Sequence, residues 1–117
     1  MKTILIVEDI ELNIDLLTQL LEDAYNLIVA RDGMQAVALT EQKKPDLVLM
    51  DISLPIMDGF EATRRIRATF PSMPIIGLSA HAMQGVAENA IAEGFTDYMT
   101  KPIDENLLRA KLKDQLG

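Results

Sequence analysis

The chain has 117 residues, is 49% apolar, carries a net charge of -7 and contains no cysteine. That length and apolar content suit one domain with an ordinary core, and the missing thiols exclude a disulfide framework, a thiolate metal site and a cysteine nucleophile. The acidic balance argues against a nucleic-acid surface, which needs clustered Lys and Arg; no apolar stretch is long enough to span a bilayer and no signal-peptide core follows Met1, so a soluble cytoplasmic protein is expected.

Apolar runs alternate with helical patterns, the signature of βαβ units and a parallel sheet. Ile4-Leu5-Ile6-Val7 predicts a strand at 3–7 that ends at Glu8 and Asp9. A helix near 10–23 follows, with Ile10, Ile14, Leu17, Leu21 and Ala24 on one apolar stripe, Leu20 beside it and Leu12 on the opposite side. After a weaker strand at 26–30, Asp32-Gly33 opens a helix near 33–43. Leu47-Val48-Leu49-Met50 predicts a strand at 46–50 and delivers Asp51; Pro55 punctuates the loop, and Asp58-Gly59 opens a helix near 58–69. That helix carries Arg64, Arg65 and Arg67, the only basic cluster, which reads as a solvated face in preference to an anion site. Pro71 precedes a strand at 74–78, Ile75-Ile76-Gly77-Leu78, which ends at Ser79. A helix near 83–93 is closed by Gly94 as a left-handed cap, a short strand at 97–99 leads to Lys101, and a last helix lies near 104–116.

The first, third and fourth strands lack alternation, as central strands covered on both faces do, whereas the second and fifth are candidate edges. Right-handed crossovers and a central first strand favour an α/β, flavodoxin-like (βα)5 sheet in the order 2-1-3-4-5, formed by one domain over residues 1–117. Its ligand crevice would lie at the carboxyl ends of the strands, where Glu8, Asp9, Asp51, Ser79 and Lys101 converge. Adjacent carboxylates are costly unless something positive lies among them, and an all-oxygen set suits Mg²⁺. Acids facing a lysine suggest a divalent cation and an anion held together. Read singly, each residue has an ordinary explanation. Asp51 could be a loop acid or cap, Ser79 an N-cap, Lys101-Pro102 a loop start and Tyr98 a half-buried packing residue. His81 has no partners for a catalytic triad, and the seven methionines are dispersed as core fillers.

Four segments in this order carry a resemblance: Leu5-Ile6-Val7-Glu8-Asp9, Leu49-Met50-Asp51-Ile52-Ser53-Leu54-Pro55-Ile56-Met57-Asp58-Gly59, Leu78-Ser79-Ala80 and Asp97-Tyr98-Met99-Thr100-Lys101-Pro102. Together they resemble the receiver domains of two-component response regulators over essentially the whole chain. The resemblance implies that Asp51 is the phosphoacceptor, with Lys101 and Ser79 holding phosphoryl oxygens. It implies Mg²⁺ on Asp9, Asp51 and the backbone carbonyl of Ser53, with Glu8 acting through water. The family commonly has Asp where Glu8 stands, so a longer side chain shifts the metal-water geometry. Tyr98 would be the switch aromatic, Lys101-Pro102 a cis peptide, and Ser53 and His81 would flank the path of hydrolytic water and tune the lifetime of the phosphorylated state.

The implied function is a Mg²⁺-dependent signalling switch phosphorylated by a histidine kinase or histidine phosphotransfer protein and read by another protein, without turnover of a separate metabolite. Asn13 and Ser79-Ala80-His81-Ala82-Met83 also look like the receivers of phosphorelays, which leaves open a receiver cut from a hybrid histidine kinase. An aspartyl-phosphate phosphatase of the haloacid dehalogenase type is a further alternative, although it normally has an acid where Ser53 stands. A phosphorylation-independent interaction module on the same fold is the last.

Overall fold

The computed structural model describes residues 1–80 and 91–117. Strands β1 (Thr3–Val7), β2 (Asn26–Ala30), β3 (Leu47–Asp51), β4 (Ile75–Ser79) and β5 (Asp97–Thr100) alternate with helices α1 (Glu11–Leu21), α2 (Gly33–Lys43) and α3 (Gly59–Thr69), and α4 (Glu105–Leu116) follows β5. All four strand pairings are parallel, in the order β2-β1-β3-β4-β5. This is the expected flavodoxin-like arrangement. The helix expected near 83–93 falls mostly outside the described residues, as does His81; its expected close does not, because Gly94 has φ of +105° and its N–H bonds the Ile91 carbonyl at 3.1 Å.

The period of two along each strand builds two cores. Leu5, Val7, Val48, Met50 and Ile75 face Ala36 of α2 and Ala62 and Ile66 of α3. Ile4, Ile6, Leu47, Leu49, Ile76 and Leu78 face Leu17 and Leu21 of α1 and Leu108 and Leu112 of α4. Both faces of β3 and β4 are therefore apolar and fully buried, while β2 and β5 are only partly so, as their weaker patterns imply.

Local chemistry sets the helix starts. Asp32, Asp58 and Asp104 each accept a hydrogen bond from the backbone N–H three residues on. In α1 the apolar stripe is shorter than its sequence pattern. Ile14, Leu17 and Leu21 are buried, but Ile10 and Ala24 are exposed, because the helix runs only from Glu11 to Leu21 and both lie outside it. The basic cluster divides: Arg64 and Arg65 pair with Glu61 on the exposed side of α3, and Arg64 also pairs with Glu93. Arg67 is half-buried and meets no carboxylate among the described residues. Its guanidinium donates to the carbonyls of Phe70, Pro71, Met73 and Gly94, tying the end of α3 to the approaches of β4 and β5. Burial among these uncharged acceptors lowers its pKa from the ordinary arginine value.

Glycines allow close approach at β4 and at the end of β3. Gly77 lies under Phe95, where a Cβ would come within 2.9 Å of the ring, and Phe95 meets Phe60 edge-on at 5.7 Å. Gly59 begins α3 directly against the end of β3, and a Cβ there would strike the Asp51 carbonyl oxygen and the Ile52 Cα. Backbone cannot give way as a flexible side chain can. Gly59→Ala is expected to destabilise the fold by about 1–3 kcal/mol, overpacking outweighing the better helix propensity of alanine, as read from the midpoint of urea unfolding.

Candidate functional site

The sheet delivers its polar groups by ordinary ladder geometry. Glu8 follows β1, and its N–H bonds the Ala30 carbonyl at 3.0 Å, which continues the β1/β2 pairing by one residue. Asp51 is the last residue of β3 and Ser79 the last of β4, with Ile52 N–H bonding the Leu78 carbonyl at 2.9 Å. Lys101 is brought beside them because its backbone N–H bonds the Ser79 carbonyl at 2.7 Å. The Lys101-Pro102 bond is cis, as expected.

Glu8, Asp51 and Lys101 are drawn into one cluster by direct contacts, with Asp9 beside them. The Lys101 Nζ lies 2.8 Å from Glu8 Oε2 and 3.4 Å from Asp51 Oδ2, and the Ser53 N–H donates to Asp51 Oδ1 at 3.1 Å. Glu8 is fully buried, Asp51 is 3% exposed and Asp9 is exposed at the rim. One oxygen from each of Glu8, Asp9 and Asp51 lies within 4.8 Å of the others, a set able to hold a cation. Ser79 is buried at the adjoining strand end.

Charge makes this cluster unlike a surface ion pair. Burial, first, and the neighbouring Glu8 charge push the Asp51 carboxyl up from 3.8 to about 6, against the opposing pull of Lys101 and the Ser53 N–H. For Lys101, burial alone would lower the ammonium, but the hydrogen bond to Glu8 and the charges of Asp51 and Glu8 outweigh it and raise the pKa. One lysine is shared by two buried acids. A third acid stands at the rim.

The loop after β3 is shaped by strain. Ile56 has φ of +69°, and the Met57 N–H bonds the Pro55 carbonyl at 2.7 Å, so the turn is a γ-turn of the rarer positive-φ form. A β-branched residue there costs about 1–3 kcal/mol. Pro55 marks the loop in the sequence, but an isoleucine at the next position does not announce a positive φ.

Other expected residues are placed as follows. Tyr98 is half-buried on β5 and packs against the α2/α3 face of the core. Leu12 is 79% exposed, as its position off the stripe implies, and Ile10 and Leu16 are also exposed on α1 beside the cleft. Asn13 was read in the sequence only for its resemblance to phosphorelay receivers; its amide Nδ2 in fact reaches Glu8 Oε1 at 3.4 Å. The only signal for that contact was its position one turn into the helix that follows Glu8.

Residues 4–113 match the family model of the response regulator receiver domain. The chain belongs to that family. Among receiver proteins, the polar-differentiation response regulator DivK of Brucella anthropi is 37% identical over 119 residues, which cover 99% of this chain and 97% of DivK. The sensor protein GacS of Pseudomonas syringae pv. syringae is 42% identical over 111 residues, covering 90% of this chain and 12% of GacS. A crystal structure of the receiver domain of sensor histidine kinase PA1611 from Pseudomonas aeruginosa superposes with a TM-score of 0.90 at 38% identity, over 97% of this chain and 96% of that one; it has a magnesium ion coordinated in its active site cleft. This chain is thus a receiver domain of two-component signalling.

The raised Asp51 carboxyl has a signed consequence for stability. Its folded value of about 6 exceeds the ordinary 3.8, so the penalty of ionising it is absent below about pH 4, grows between 4 and 6, and is complete above 6. In EDTA, Asp51→Asn should therefore raise stability at pH 7–8 by an amount of order 1–3 kcal/mol, and the difference from wild type should close toward pH 4, as followed by denaturant unfolding across that range.

Proposed function

We propose that the chain is a phosphorylation-dependent switch in which Asp51 accepts a phosphoryl group from a phosphohistidine on a histidine kinase or histidine phosphotransfer protein. The observation that carries this reading is the Lys101 ammonium held between two buried acids, 3.4 Å from Asp51 and beside Ser79. In the transfer, an Asp51 oxygen bonds to phosphorus as the bond from phosphorus to the donor imidazole nitrogen breaks, and the imidazole nitrogen keeps the electron pair. Lys101 compensates charge on the phosphoryl oxygens, the Ser79 hydroxyl donates to one of them, and the Ser53 N–H keeps Asp51 oriented. Asp9, Asp51 and the Ser53 carbonyl would hold Mg²⁺, with Glu8 acting through water, and the ion supplies positive charge against the phosphoryl oxygens. Water later attacks phosphorus as the bond from phosphorus to the Asp51 oxygen breaks, which releases inorganic phosphate and restores the carboxylate; Ser53 would flank that water's path, and the resemblance gives His81, outside the described residues, the same role. The chain acts on itself and turns over no separate metabolite.

Donor docking is assigned to α1. Its amino end rims the cleft, and Ile10, Leu12 and Leu16 leave 51%, 79% and 42% of their surface exposed, an apolar face suited to a helix of the donor. Tyr98 on β5 would report the state of Asp51 through Ser79 to a protein reader. A net charge of -7 favours a protein over a nucleic acid as that reader. No helix among the described residues is long and apolar enough to cross a membrane, in keeping with a cytoplasmic location.

The relation to GacS favours a second reading, a receiver that is one segment of a hybrid sensor kinase, against the single-domain switch favoured by the full-length match to DivK. The two share one chemistry and differ in what the open reading frame encodes on either side.

Asp51→Asn should abolish the acid-labile phosphoryl adduct formed with acetyl phosphate and Mg²⁺, measured by intact-protein mass spectrometry; an undiminished adduct would remove Asp51 from this role. Leu12→Lys should slow transfer from the cognate phosphorylated donor by roughly tenfold, the loss of one apolar anchor, while labelling by acetyl phosphate continues at the wild-type rate. Equal losses in both assays would place the defect at the phosphorylation site and refute the α1 docking face.

A further inference from the structure

We infer that Asn13 is a positioning residue for the cation site, acting through Glu8; this rests on reading Glu8, Asp9 and Asp51 as that site. The Glu8 carboxylate is fully buried, and such a group needs donors on both oxygens. Oε2 has the Lys101 ammonium at 2.8 Å. Oε1 has only two donors among the described residues, the Ile10 N–H at 3.3 Å and the Asn13 Nδ2 at 3.4 Å. Both are at the long end of hydrogen-bond geometry, so neither alone fixes the carboxylate.

A carboxylate can only accept, so the amide must turn its NH₂ toward Glu8 and the orientation of Asn13 is set by chemistry. Beside this contact lies a cavity of about 90 Å³ walled by the apolar side chains of Leu16, Leu17, Leu78, Pro102 and Ile103 and by Lys101, whose ammonium is already engaged by Oε2. Asn13 sits in the first turn of α1 and is half-buried at the edge of that cavity. Deleting its amide leaves Oε1 with one weak backbone bond, and Glu8 is then free to swing about its side chain toward Lys101. The spacing of the acid oxygens loosens. The added methylene of Glu relative to Asp makes this support more necessary, since a longer carboxylate has one more torsion to restrain.

The test is a double-mutant cycle on Mg²⁺ affinity, measured by isothermal titration of wild type, Asn13→Ala, Glu8→Gln and the double variant, each also melted in EDTA to establish that it is folded. Asn13→Ala should weaken Mg²⁺ binding roughly three- to tenfold, at or just below the usual effect of removing a group that orients a metal ligand, and the same substitution should change nothing further in the Glu8→Gln protein. Wild-type affinity in Asn13→Ala, or an equal loss in both backgrounds, would overturn the role. If wild type itself binds no Mg²⁺, the cation-site reading fails, a result distinct from a wild type that binds and an Asn13→Ala that binds equally well.

Discussion

The arrangement depends on one shared cation. Glu8 and Asp51 end neighbouring strands of a parallel sheet whose faces are sealed by two apolar cores, so their carboxyl groups are held together with little water to screen them. Two buried like charges would ordinarily disrupt a sheet edge or neutralise one of their number. Lys101 relieves this only in part, because it is one charge between two acids, with Asp9 a third at the rim. Burial, first, and this remaining imbalance with Glu8 raise the Asp51 carboxyl. A site that tolerates such a deficit is suited to take up positive charge, and an oxygen-only donor set selects a hard cation.

The fold makes that imbalance possible by placing the acids where the chain has no choice of register. Parallel strands put every carboxyl end on the same edge, and burial on both faces fixes register, since a one-residue slip would exchange the two cores. Glu8 is anchored to Ala30, Ile52 to Leu78 and Lys101 to Ser79 through ladder bonds that continue past the strand ends. Gly59 then lets α3 begin against the Asp51 carbonyl, and the strained Ile56 turn carries the loop between them. Rigidity in the sheet is the source of precision at its rim. The strained turn lies in the loop, outside the sheet.

Much of this was legible in the sequence because it is locally encoded. Runs such as Ile4 to Val7 and Leu47 to Met50 name central strands without reference to anything distant, and Asp32-Gly33 and Asp58-Gly59 mark helix starts through a side chain and an N–H three residues apart. The convergence of Glu8, Asp9, Asp51, Ser79 and Lys101 followed once those strands were taken as parallel. What could not be read is tertiary. Arg67 looked like its neighbours Arg64 and Arg65, and only the approach of Gly94 and Met73 turns it into a half-buried bracket. Ile10 and Ala24 fit the α1 stripe by period yet lie outside the helix that forms. The Asn13 contact was hidden because i, i+5 spacing from a strand end has no periodic signature.

The glutamate at position 8 changes how the lysine is divided. At 2.8 Å the Lys101-Glu8 contact has the length of a charge-assisted hydrogen bond, whereas 3.4 Å to Asp51 is a looser Coulombic contact. The extra methylene of glutamate brings its oxygen to the ammonium, so the resting lysine is committed first to the acid that is not the proposed nucleophile. Asp51 is left the less compensated of the pair, which agrees with burial and the Glu8 charge together outweighing Lys101 in its raised carboxyl. Added positive charge therefore gives its greatest stabilisation on the side of Asp51 and Asp9, away from Glu8. In the proposed transfer, a phosphoryl group on Asp51 would bring new anionic oxygens to that same side and draw on a lysine already within reach, so its arrival would redistribute Lys101 between two partners without needing a new cation from elsewhere in the chain.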